Sequence, residues 1–76
     1  MDEERARETF HTAIEHQRRG DLDVAERLFA EVLRALPGHP SSLHNLALIY
    51  QHGGRYAEAV AAFQRLADDT PDDMVA

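Results

Sequence analysis

Apolar positions recur with a helical period in four stretches of the chain, and nothing alternates with period two over a useful length. From about Asp2 to Arg19, the residues Phe10, Ala13, Ile14 and Gln17 share one stripe at i, i+3, i+4 and i+7. Gly20 ends this helix, because glycine takes up the left-handed C-terminal conformation cheaply. A second helix is expected from about Leu22 to Leu36, with Leu22, Ala25, Phe29, Val32 and Leu36 inward and Asp21 or Asp23 placed to cap it. Pro37-Gly38-His39-Pro40 stops it, since proline lacks an amide proton and restricts the residue before it. A third helix starts near Ser41 with Leu43, Leu46, Ala47 and Tyr50 on its stripe, and Gly53-Gly54 ends it. The fourth runs from about Arg55 to Asp68, with Tyr56, Ala59, Val60, Phe63 and Leu66 expected inward. The fold class is therefore all-α, four antiparallel helices in two helix–turn–helix units.

The two units repeat. At an offset of 34, Gly20 falls on Gly54, Ala25 on Ala59, Phe29 on Phe63 and Pro37 on Pro71. A fixed period of this kind signals stacked units, none of which buries its apolar face alone. The stripe of the first helix fits the third better at an offset of 33, which pairs Phe10 with Leu43, Ala13 with Leu46 and Ile14 with Ala47. A strict 34 would turn Thr9, Thr12 and His16 inward and expose Phe10 and Ile14. Burying a large apolar side chain is worth about 1.5–3 kcal/mol. The first helix is therefore expected to follow 33, with one extra residue in the Gly53-Gly54 turn.

The second unit carries Leu43, Leu46-Ala47, Tyr50, Gly54, Tyr56, Ala59, Phe63 and Pro71, and the first carries Gly20, Ala25, Phe29 and Pro37. This pattern resembles the tetratricopeptide repeat, a helix–turn–helix unit of about 34 residues. The first half of unit one departs from it, with Gln17 where an aromatic residue is usual. The resemblance covers about residues 6–73, as one repeat over about 6–39 and a second over about 40–73. It implies a right-handed stack with a concave groove lined by the first helix of each pair. It also implies a protein or peptide partner and no chemistry. Helical phase and the resemblance place His11, Glu15, Arg18, His44, Asn45, Leu48 and His52 in that groove. Some family members hold a peptide's terminal carboxylate with Lys, Arg and Asn side chains. Asn45 matches that Asn, but the basic partners are missing, so this clamp is not expected.

Composition agrees with a small binding module. The chain has 76 residues and is 43% hydrophobic, yet 12 of its apolar residues are alanine. That suffices for a thin layer between helices, not for a deep core around a buried active site. Absence of cysteine excludes disulfides, thiolate metal sites and cysteine nucleophiles. A net charge of −6 argues against nucleic acid and anionic membrane surfaces as partners. No apolar run approaches the ~20 residues of a spanning helix. The acidic start Met1-Asp2-Glu3-Glu4 is unlike a signal peptide, so a cytoplasmic protein is expected.

The five histidines are the only candidate catalytic or metal-binding material. His11, His44 and Glu15 could approach one another, but solvated groove residues account for them better than zinc does. No metal, cofactor or enzymatic activity is expected. Thr70-Pro71-Asp72-Asp73 reads as a further helix start, with Met74-Val75-Ala76 as its first residues. Val60, Phe63 and Ala67 would then border an uncovered strip on the fourth helix, suited to a homodimer. Two other readings compete. The chain resembles accessory repeats placed ahead of bacterial glycosyltransferase, sulfotransferase and hydroxylase domains, or it is a self-assembling scaffold.

Overall fold

The computed structural model describes residues 2–69. They form α1 (Glu3–Arg19), α2 (Leu22–Ala35), α3 (Pro40–His52) and α4 (Tyr56–Asp69), with no strand among the described residues. Each helix expected from the periodicity is present, with its ends within about a residue of expectation. α1 packs on α2, α2 on α3 and α3 on α4, the order of a two-unit stack. The expected further helix at 70–76 lies outside the described residues.

Capping chemistry explains most helix ends. Asp2 accepts the Arg5 backbone N–H at 2.8 Å and starts α1. Gly20 ends it at φ +88°, where its N–H reaches the Gln17 carbonyl at 3.1 Å and the Asp21 N–H reaches that of His16 at 2.9 Å. Gly54 repeats this geometry at φ +79°, with its N–H on Gln51 at 3.1 Å and the Arg55 N–H on Tyr50 at 2.8 Å. Both are paired glycine caps of the Schellman type. Asp21 sits at the N-cap of α2 but makes no side-chain cap bond. Its carboxylate turns instead to His16, with Nδ1 and Oδ2 3.4 Å apart. α3 is started by a histidine: the Ser42 N–H donates to His39 Nδ1 at 3.2 Å, and the fully buried Ser42 hydroxyl lies 2.8 Å from the same nitrogen.

The register of the first helix differs from expectation. The two glycine caps superimpose at 34, as do His16 on Tyr50 and Asp21 on Arg55. Ala13 and its 34-residue counterpart Ala47 are both fully buried. The edge-on ring pair Phe10–Phe29, at 5.7 Å between centroids, recurs one period later as His44–Phe63 at 6.2 Å. The period of 34 therefore holds throughout, and the 33-residue slip is not real. The reason is the absence of a preceding unit among the described residues. Leu46 packs into a cluster with Ala13, Ala25, Phe29 and Ile49, which lie mostly in the first unit. Its counterpart Thr12 has no described unit to meet, stays exposed and bonds the Glu8 carbonyl at 3.0 Å. Phe10 and Ile14 keep half their burial from the flank of this cluster.

The phase of α4 also needs correction. Ala59 and Ala62 face the core, whereas Tyr56 is 64% and Val60 53% exposed. The helix is apolar on two adjacent sides, and the side with small residues lets it approach α3 closely.

Candidate functional site

α3 carries His44, Asn45, Leu48 and His52 within about a third of its circumference, opposite the stripe that packs inward. His44 and His52 are exposed, Leu48 is 40% exposed and Asn45 is half-buried. His11, Glu15 and Arg18 on α1 are all exposed. At the period of 34, His11 corresponds to Asn45 and Arg18 to His52, so these two share the α3 face. Glu15 corresponds to Ile49, which packs towards the first unit at the edge of this face.

A cleft of about 450 Å³ opens here, lined by Gln17, Leu22, Leu48, Ile49, Gln51 and His52. Leu48 and His52 are the two expected groove residues that it brings together. Gln17 was expected on the core stripe and is half-buried at the cleft wall instead. Gln17 and Gln51 are identical residues one period of 34 apart, a sequence signal that marks them as equivalent positions on successive helices. Each amide offers two donors and one acceptor. Together they can hold the backbone of an extended peptide while Leu22, Leu48 and Ile49 receive an apolar side chain.

The remaining histidines do not converge. The His11 ring lies against Phe10 at 5.8 Å, and the His44 ring against Phe63. Among the described residues, no group of three His, Asp or Glu side chains is placed to hold a metal ion. Asn45 Nδ2 donates to the Ser41 carbonyl of its own helix at 2.7 Å, which spends one of its two donors.

The two units are also tied together by Arg55. Its guanidinium donates to Glu26 on α2 at 2.8 Å and to both carboxylate oxygens of Glu58 on α4, at 2.7 and 2.8 Å. It also lies 4.5 Å over the Tyr50 ring. Its hydrogen bonds to Glu58 and Glu26 push the Arg55 pKa further up, and those to Arg55 hold the Glu58 carboxyl below its ordinary 4.5. Burial, then the nearby Glu26 and Glu58 charges, raise the Tyr50 phenol. A lowered carboxylate pKa contributes stability above the unfolded value, and that contribution disappears as pH falls through the folded value. Between about pH 7 and about pH 3, Glu58→Gln is therefore expected to lose less melting temperature than the wild type. Equal losses would show that the pair contributes nothing to acid sensitivity.

An all-helical stack of two equivalent helix–turn–helix units defines a helical-repeat protein. A family model described as tetratricopeptide repeat matches residues 10–73, and the chain belongs to that family. No curated protein and no solved structure matches it. Repeats of this family generally mediate protein–protein interaction and are typically non-catalytic. No helix among the described residues is long and apolar enough to cross a membrane.

Proposed function

We propose that the chain is a non-catalytic interaction module that takes an extended peptide of a partner protein on the α1–α3 face, centred on the Gln17–Gln51 cleft. The observation that carries this reading is the cleft itself: paired amides from equivalent positions over an apolar floor. His11, Arg18, His44 and Asn45 would extend the contact along the same face. The reading serves a free-standing adaptor and an accessory segment of a larger enzyme alike, and a cytoplasmic setting suits an acidic chain without cysteine.

Capture from native lysate followed by mass spectrometry identifies the partner. The double variant Gln51→Ala, Leu48→Asp is expected to lose it, because both residues are accessible at the cleft and neither holds the core. Retention of the same partner by that folded variant would place the binding site elsewhere. Hydrolase and transferase assays should stay at background. Turnover abolished by His11→Ala or His44→Ala would overturn the non-catalytic reading.

One structural observation favours self-association as well. Phe29 on α2 is fully buried, whereas its counterpart Phe63 on α4 is 37% exposed. We infer that a second copy covers Phe63, Val60 and Ala67 in a homodimer.

A further inference from the structure

The opposite side of α3 holds a second concavity. The α3 residues on its floor, Leu43, Leu46 and Tyr50, lie about half a turn round the helix from Leu48 and His52. Its walls are α2 and α4, on either side of this floor, around a groove of about 380 Å³. Leu33 adds a further aliphatic surface, and Ala30 and Ala61 form exposed, small-residue walls that let another backbone come close. This groove shares no lining residue with the Gln17–Gln51 cleft.

Its charge is distinctive. Arg34 and Arg65 stand at the rim, where α2 and α4 end. Arg34 has no ion-pair partner among the described residues. Arg65 donates to the Pro37 carbonyl at 2.6 Å, a neutral acceptor, and has no ion-pair partner among the described residues. The one acid lining the groove, Glu58, is already matched by Arg55. Two guanidinium groups without an ion pair among the described residues therefore border an apolar trough in a chain whose net charge is −6. A guanidinium pairs with a carboxylate through two parallel hydrogen bonds, and such pairing gains strength beside apolar surface that excludes water.

The geometry points to this groove as a second docking site, whose occupant is a short segment of a partner protein that joins acidic residues to aliphatic ones. The acids meet Arg34 and Arg65, and the aliphatic side chains settle over Leu33 between the Ala30 and Ala61 walls. The module would then engage partners on two faces, one read by amides and the other by charge.

The test is an NMR titration of the isotope-labelled full chain with two synthetic, end-capped peptides. One has the sequence Asp-Asp-Leu-Leu-Ala-Leu, and the other carries Asn in place of both Asp. Saturable shifts are expected at Ala30, Leu33, Arg34, Ala61 and Arg65, with affinity for the Asn peptide lower by about tenfold or more. Arg34→Glu should remove the preference for Asp, and Ala61→Leu, which fills the groove from an exposed position, should block both peptides. Shifts confined to Leu48, Gln51 and His52, or equal affinity for the two peptides, would overturn the assignment. Partner capture through the Gln17–Gln51 cleft does not depend on either result. If removal of residues 70–76 strengthens binding of the Asp peptide by tenfold or more, the chain's own acidic segment is the occupant. Groove shifts that follow protein dilution without peptide would assign it to a second copy. Either result would replace the external partner.

Discussion

Ala59→Leu is expected to lower the melting temperature sharply, while Ala61→Leu, two residues along the same helix, leaves it nearly unchanged. Ala59 is 4% exposed and faces α3, and its counterpart Ala25 is fully buried against α1. At both crossings a methyl group sets the distance between helices. Three further carbons at Ala59 find no room unless α4 moves away, and overpacking of this kind costs about 1–3 kcal/mol. In a domain of this size each kcal/mol is worth roughly 4–8 °C, so a fall of about 5–20 °C follows. Ala61 is exposed at the wall of the second groove, where leucine meets solvent and groove. Leucine is nearly as good a helix former as alanine, and such surface changes stay within about 0.5 kcal/mol. Thermal melts followed by circular dichroism compare the two directly. Equal falls would show that α4 is rotated from the phase described above.

Helix ends were legible in the sequence because single residues determine them. Gly20 and Gly54 sit at positive φ, Pro37 follows the end of α2, and Pro40 opens α3. The family was legible for a related reason: Ala25 with Ala59 and Phe29 with Phe63 recur where close packing demands a fixed size. Register in α1 was not. Reading it from apolar residues assumes that equivalent positions meet equivalent surroundings. Thr9, Thr12 and His16 occupy the places of Leu43, Leu46 and Tyr50, yet no described unit packs against them as the first unit packs against Leu46. The same assumption failed on α4, where Tyr56 and Val60 belong to the surface a following helix would bury.

The cleft was half legible. Leu48 and His52 follow from helical phase, and Gln17 with Gln51 could have been found as an identity at the repeat period. Apolar periodicity hid Gln17 by assigning it to the core stripe. The Arg34–Arg65 groove left no linear signal at all. It exists only because α2 and α4 stand apart across α3, which sets Arg34 and Arg65 at one rim from positions 31 residues apart.

Phe63→Glu is expected to convert a dimer into a folded monomer. The four exposed large apolar residues of the described chain are Leu48, Tyr56, Val60 and Phe63. Three of them, with Ala67, form a strip on α4 at i, i+4, i+7 and i+11. The His44 ring of α3 meets Phe63 edge-on at 6.2 Å at the border of that strip. Within the first unit, the place corresponding to Phe63 is sealed: Phe29 lies under α3 at 0% exposure, against 37% for Phe63. The difference shows how much cover α3 gives Phe29 that Phe63 does not receive among the described residues. A continuous apolar strip of this kind marks an interface, and two-fold pairing lets one strip cover another. Light scattering at tens of micromolar should give twice the chain mass for the wild type and for Ala61→Glu, whose charge falls on the other side of α4. Phe63→Glu should give the single-chain mass with an unchanged helical spectrum. Because Phe63 is partly covered, Val60→Glu at 53% exposure provides a second route that leaves the core alone. A wild-type mass equal to one chain at every concentration would rule the dimer out, and so would dimers that survive both substitutions.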